Sequence, residues 1–260
     1  MNRTQQIQFL IHVLLKEMPA YKEQARAFPQ DERSQRRLLR SLMNVRPPMP
    51  LDPSFLAVQD TLLSAEREEK GVVEADALPD RPGHPGIVVW QGDITRLKAD
   101  AIVDADNDRL LGCFVPCHGC IDNAIHSAAG LQLRDECSRL MEQQGRPEPT
   151  GQAKLTGGYN LPARYVMHTV GPIIHRRITS QDRELLASCY RSCLKLASEH
   201  ELRSVAFCCI STGEFHFPNQ EAARIAVQTV KEFLQAPTTV RKVIFNVFKD
   251  IDANIYHDLL

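Results

Sequence analysis

No apolar run in this 260-residue chain is long enough to cross a bilayer. The longest early one, Phe9–Leu15, spans seven residues, is interrupted by His12 and is followed by Lys16 and Glu17. It reads as part of an amphipathic helix rather than a signal peptide, because no small-residue cleavage pattern follows. A basic excess is also missing. The formal net charge is -1, which argues against a dedicated nucleic-acid binder. The phosphate-binding signatures G-x-G-x-x-G and G-x-x-x-x-G-K-[ST] do not occur, and neither does a nucleophile-elbow motif. There is no internal repeat and no low-complexity tract. The first 70 or so residues carry no convincing strand.

What is present is ordinary globular composition, 43% hydrophobic and 24% charged. Eight cysteines are present, but their surroundings argue against a disulfide framework. Cys208 and Cys209 lie in the apolar stretch SVAFCCIST. Cys189 and Cys193 are four apart in a helical pattern and read as core thiols. A chain of this length does not need disulfide staples, so a reducing, cytoplasmic setting is expected.

The N-terminal part reads as short helices separated by prolines: IQFLIHVLLKE, DERSQRRLLRSLMNV and PSFLAVQDTLLSAEREEK. The proline- and glycine-rich stretch Ala77–Gly86 is the natural boundary. Beyond it the pattern changes. GIVVWQGDIT, ADAIVDA, RYVMHTVGP, SVAFCCIST and KVIFNVF are short, near-continuous apolar runs, as expected of strands covered on both faces. Helical patterns lie between them: DNAIHSAAGLQLRDECSRLMEQQG, DRELLASCYRSCLKLASEH and NQEAARIAVQTVKEFLQA. The alternation predicts a three-layer α/β domain, with ligands at the carboxyl ends of the strands.

Three loops fall at those ends. LLGCFVPCHGCID crowds Cys113, Cys117, His118 and Cys120 together. Two thiolates and one imidazole, with a fourth position left open, is the donor set of a catalytic zinc site. The spacing C-x4-H-x-C is not a common structural-finger spacing, and from spacing alone a loop with buried or merely exposed thiols is the commoner reading. Cys117 adjoins His118 and could point away. Asp122 follows at a helix start, where a carboxylate is favoured by the macrodipole, the commoner role on local sequence; the functional role is a carboxylate beside a metal. His126 lies four residues on along the same helix face. It and His168, within a strand, read as satisfied packing histidines. ISTGEFHFPN joins a strand to a helix, either as an ordinary turn or as a backbone cradle for a diphosphate. Pro218 and Asn219 start the helix that follows. In QGDIT, Asp93 could accept a hydrogen bond from an amino group or serve the turn.

Taken together, GDITRLKADAIVDADN, AIHSAAG, TGGYNLPARYVMHTVGP and ISTGEFHFP resemble, in order, the segments of the macrodomain family of ADP-ribose-binding modules. The Cys–His loop narrows the resemblance to the zinc-containing, microbial protein-ADP-ribose hydrolases, which carry a helical N-terminal extension. The resemblance implies a three-layer α/β/α macrodomain with a mixed central sheet over residues 81–260, preceded by an extension over 1–80. It implies one zinc per chain on Cys113, His118 and Cys120, with Asn107 and Asp122 catalytic. Asp93 and Ile94 would hold the adenine. Asn107, Cys120, Ile121 and Asp122 would line the distal ribose. Ser211, Thr212, Gly213, Glu214 and Phe215 would wrap the diphosphate and distal ribose, and Phe248 or Asn246 would border the adenosine. The implied partners are ADP-ribose and mono-ADP-ribosylated protein, with no nucleic acid and no membrane. The implied reaction removes mono-ADP-ribose from protein side chains. A non-catalytic reader of ADP-ribose and an O-acetyl-ADP-ribose esterase are the alternatives. One departure stands out. Asp104-Ala105-Asp106-Asn107 replaces the family's Asn-Ala-Ala-Asn, and two added charges near a diphosphate should weaken binding unless they point away or are paired.

Overall fold

The computed structural model describes residues 1–260. Three helices lead: α1 (Arg3–Glu17), α3 (Glu32–Val45) and α4 (Pro53–Lys70), with the short α2 (Lys22–Arg26) between the first two. Their starts are chemically explicit. Asn2, Asp31 and Asp52 each accept a backbone N–H of the first turn, and Pro53 takes the first helical position of α4. Their apolar faces close on one another through Ile7, Leu10, Leu14, Leu39, Phe55 and Leu62, joined by Leu131 from further along the chain. No helix is long and apolar enough to cross a membrane.

The remaining chain forms a six-stranded sheet and flanking helices. The strands are β2 (Ile87–Gln91), β4 (Ala101–Asp106), β5 (Ala153–Gly157), β6 (Tyr165–Val170), β7 (Ser204–Phe207) and β8 (Lys242–Val247). Their order is β2-β8-β7-β4-β6-β5, all parallel except the edge strand β5, so the sheet is mixed. Two-residue strands β1 (Val73–Glu74) and β3 (Leu97–Lys98) pair separately.

Register assigns the layers. Val103, Phe207 and Phe245 are neighbours across parallel strands and share one face. Phe207 meets Tyr190 of α7 (Ser180–Glu199), and Phe245 meets Tyr256 of α9 (Asp250–Leu259). α8 (Asn219–Leu234) packs between those two helices. Asp104, beside His168, lies on the opposite face, under α5 (Ile121–Ala129) and α6 (Leu131–Gln144). The three-layer expectation therefore holds. Cys189 and Cys193 are fully buried in α7, as their helical spacing suggests.

Three features depart from the reading of the sequence. The pattern DNAIHSAAGLQLRDECSRLMEQQG is two helices, broken where Gly130 adopts φ +98°. That conformation suits glycine alone, and an added Cβ would stand 2.6 Å from Gln59 Nε2. Strand β5 and helix α9 are additional.

Candidate active site

Five of the six strands are parallel, so the loops after β2, β4, β7 and β8 emerge at one end of the sheet. The loop between β4 and α5 carries the cysteines. Cys113 Sγ lies 3.6 Å from His118 Nδ1, and Cys113 Sγ, Cys120 Sγ and a ring nitrogen of His118 all lie within 4.8 Å of one another. Tetrahedral zinc with S and N ligands at about 2.3 and 2.0 Å needs an S–N edge of roughly 3.6 Å, so the donor set fits the ion by chemistry and by spacing. His118 Nε2 faces Glu214 Oε1 at 3.7 Å. A metal-ligating histidine commonly turns its second nitrogen to a carboxylate in this way. Burial pushes the Cys120 thiol up to about 12, with Asp122 and Cys113 adding to it. A bound cation would reverse that balance by stabilising the thiolate.

Cys117 points elsewhere. Its Sγ lies 3.3 Å from Ser41 Oγ, and its backbone N–H donates to Asn44 Oδ1 at 2.9 Å. The loop is thus pinned to α3, an arrangement that the sequence did not signal. Arg40 of α3 donates to Asn123 Oδ1 at 2.7 Å and approaches the His118 carbonyl at 3.4 Å. Arg134 of α6 donates to the carbonyls of Leu111, Met43 and Arg46, bridging the loop and α3 from below.

Cys120 caps α5, its Sγ accepting the Asn123 N–H at 3.4 Å. Ile121 and Asp122 follow in the first turn. Asp122 is buried and its Oδ1 has no hydrogen-bond partner. Burial, reinforced by Asp106 and Asp104, pushes its carboxyl well above the usual range. Asn107 stands at the mouth of the same loop, where its Oδ1 accepts the Arg109 N–H at 3.0 Å and its amide approaches the Gly112 carbonyl at 3.4 Å.

The loop after β7 is held in unusual backbone. Ser211 and His216 have positive φ, 63° and 57°, and Phe217 N–H donates back to the Ser211 carbonyl. Such conformations cluster at ligand clamps. Ser211 Oγ is buried and unpartnered, Thr212 hydrogen-bonds the Cys209 carbonyl, and nothing stands within 4 Å of where a Gly213 Cβ would be. Glu214 is exposed, and the Phe215 carbonyl accepts from Ile174 N–H. Pro218 and Asn219 then open α8, as expected.

Asp93 spends one oxygen on its own turn, accepting from Thr95 N and Oγ1 at 2.9 and 2.7 Å. Its other oxygen lies 3.9 Å from Lys70 Nζ. Ile94 is buried behind it. Asp93 borders a cavity of about 150 Å³ shared with Arg36, Arg40, Lys70, Ala124 and Ser127, which connects the turn to the helix bearing Asp122. Of the two candidates near the adenosine, Asn246 is buried and donates to the Gly92 carbonyl, while Phe248 is 74% exposed and available for stacking.

Asp104 and Asp106 do not line the mouth. Both are fully buried on the underside, between His126 and His168. Burial, with Asp106 beside it, pushes Asp104 well above the usual carboxylate range. Burial would raise Asp106 too, but the imidazoles of His126 and His168 more than offset it. His168 meets Thr156, Cys137 and Asp106, in keeping with a satisfied core histidine. His126 does not meet that expectation, because neither ring nitrogen has a hydrogen-bond partner.

Known proteins share this α/β/α architecture. The Macro domain family model matches residues 103–226. A protein-ADP-ribose hydrolase of Treponema medium is 50% identical over 254 residues, covering 97% of each chain. Another, from Staphylococcus aureus (strain MSSA476), is 52% identical over 222 residues, covering 85% of this chain and 83% of the relative. Among solved structures, the Trypanosoma brucei macrodomain in complex with ADP-ribose superposes with a TM-score of 0.66 at 33% identity, covering 84% of this chain and 94% of that one. A mutant of the Oceanobacillus iheyensis macrodomain with ADPR gives 0.60 at 41% identity, covering 66% of this chain and 89% of that one. The chain belongs to the macrodomain family.

Proposed function

We propose that this chain is a zinc-dependent protein-ADP-ribose hydrolase that removes mono-ADP-ribose from modified protein side chains. The single observation that carries the zinc half of the reading is the Cys113–His118–Cys120 triangle beside Asp122 at the strand ends. The hydrolase half is supported by the two bacterial relatives named above, similar along most of their length.

In this reading ADP-ribose lies along the loops in order. Asp93 accepts the adenine amino group, with the Ile94 backbone beside it, and Phe248 borders the adenosine. The Ser211–Phe215 segment wraps the diphosphate with backbone N–H groups, and the open side of Gly213 lets it come close. Asn107 hydrogen-bonds the distal ribose, and Cys120, Ile121 and Asp122 line it. Cys113, His118 and Cys120 would hold the ion, which would supply Lewis-acid chemistry at that ribose. Asp122, fixed in the first turn of α5, orients the attacking nucleophile toward the anomeric carbon. The bond from that carbon to the acceptor breaks, water supplies the new hydroxyl, and the acceptor leaves with a proton.

The test is turnover and binding on one preparation. Wild type should release ADP-ribose from a mono-ADP-ribosylated protein faster than it cleaves O-acetyl-ADP-ribose. Asp122→Ala should lose turnover and keep most ADP-ribose affinity. Binding without release by the wild type would make it a reader, and preference for the small ester would make it an esterase.

A further inference from the structure

Beneath the mouth, four side chains aim nitrogen or oxygen at one buried point. Asp104 and Asp106 project from the same face of β4, two residues apart, and Asp104 is in register with His168 on β6. His126 descends from α5. His126 Nε2 lies 3.9 Å from Asp104 Oδ2, 3.9 Å from Asp106 Oδ2 and 3.6 Å from Asp122 Oδ1. His168 Nδ1 lies 3.9 and 3.3 Å from the same two oxygens. One ligand atom from each residue lies within 4.8 Å of the other three.

Within the cluster hydrogen bonding accounts for one contact, His168 Nδ1 with Asp106 Oδ2 at 3.3 Å. Both oxygens of Asp104 and both nitrogens of His126 lack any partner, and the two residues are 0% and 5% exposed. A proton on Asp104 would meet an acceptor, His126 Nε2, only if the 3.9 Å gap between them closed. Two ionised carboxylates buried side by side are costly unless cations compensate both. We propose that Asp104, Asp106, His126 and His168 form a second, closed metal site that holds one zinc ion.

The chemistry fits on three counts. Two imidazole nitrogens and two carboxylate oxygens make a complete four-coordinate zinc set with no open position, the mark of a structural site. A dication neutralises both carboxylates at once. Tetrahedral edges for such ligands are about 3.3–3.5 Å, so His168 Nδ1–Asp106 Oδ2 at 3.3 Å already fits and the three 3.9 Å edges must close by about half an ångström. The shell behind is also in place. His168 Nε2 stands 2.9 Å from Thr156 Oγ1, which itself reaches the Val166 carbonyl. In the tautomer a metal would select, the hydroxyl donates to that carbonyl and accepts from Nε2–H, leaving the Nδ1 lone pair to face the carboxylates. The ion would tie β4, β6 and α5 together directly under Asn107 and Asp122. The second site does not depend on the activity proposed above.

The test is a zinc count on full-length protein produced in zinc-supplemented medium and purified without chelator. Wild type should carry two equivalents by plasma mass spectrometry. Cys113→Ser/Cys120→Ser should carry one, and Asp104→Asn/Asp106→Asn should also carry one. Loading with cobalt gives a readout free of activity. The cysteine variant should keep visible d–d bands without thiolate charge-transfer absorption. Should the aspartate variant misfold, the wild-type count and the cobalt spectrum of the cysteine variant still decide. A wild type with one equivalent that the cysteine variant loses, or with none, overturns the second site.

Discussion

His118 Nε2 stands 3.7 Å from Glu214 Oε1, and this contact joins the loop after β4 to the loop after β7. The nitrogen on the other side of the same ring faces Cys113. The imidazole therefore links the proposed metal to the proposed diphosphate clamp. Loss of an outer-shell partner typically costs about 10–100-fold in metal affinity. Glu214→Ala should weaken zinc binding by roughly tenfold, the lower end of that range because Glu214 is exposed. Competition against a chromogenic chelator measures it.

Arg40 should matter more than its distance from the chemistry implies. It is the α3 side chain that fixes Asn123, and Asn123 in turn donates to the Val115 carbonyl inside the cysteine loop at 2.9 Å. Arg40→Ala should reduce zinc affinity by about 10–100-fold without abolishing folding. The same chelator competition, with circular dichroism as control, checks it. Unchanged affinity would mean that the helical segment only covers the domain.

Asp93 separates binding from folding. One oxygen caps the turn, and the other has only the exposed Lys70 ammonium nearby, at 3.9 Å. Asp93→Asn keeps a capping oxygen but presents an amide donor to the adenine amino group. An unpaired polar contact costs about 1–3 kcal/mol, so ADP-ribose affinity should fall roughly 5–150-fold while the melting temperature barely moves. Calorimetric titration and a thermal melt read both.

Gly130 tests the fold alone. Gly130→Ala forces a Cβ into the amides of Gln59 and Gln132 at positive φ. The expected loss is about 1–3 kcal/mol by urea denaturation, with the metal count unchanged.

Much of this architecture could be read from local sequence. α4 begins at Pro53 and ends before Gly71 because proline and glycine announce those positions chemically. The central strands are apolar runs because both faces are covered. Strand β5, AKLTG, escaped because it is a half-exposed edge strand with no such run. The break at Gly130 escaped because glycine within a helical pattern does not reveal its own φ. α9 is short and carries three aspartates, so its buried Tyr256 face gave little periodic signal. In the site, Cys113, His118 and Cys120 were legible because all three donors sit on one loop. The meeting of Asp104 and Asp106 with His126 and His168 depends on the β4–β6 register and on where α5 lands, which no local pattern encodes. The clasp of Arg40 and Asn44 on the loop is hidden for the same reason.

The most direct measurement compares wild type with Cys120→Ala for zinc content and for ADP-ribose release from a mono-ADP-ribosylated protein. The expected result is one fewer zinc per chain in the variant and release reduced to background, with circular dichroism unchanged. Release at the wild-type rate from a variant that has lost that zinc would contradict a catalytic role for the metal.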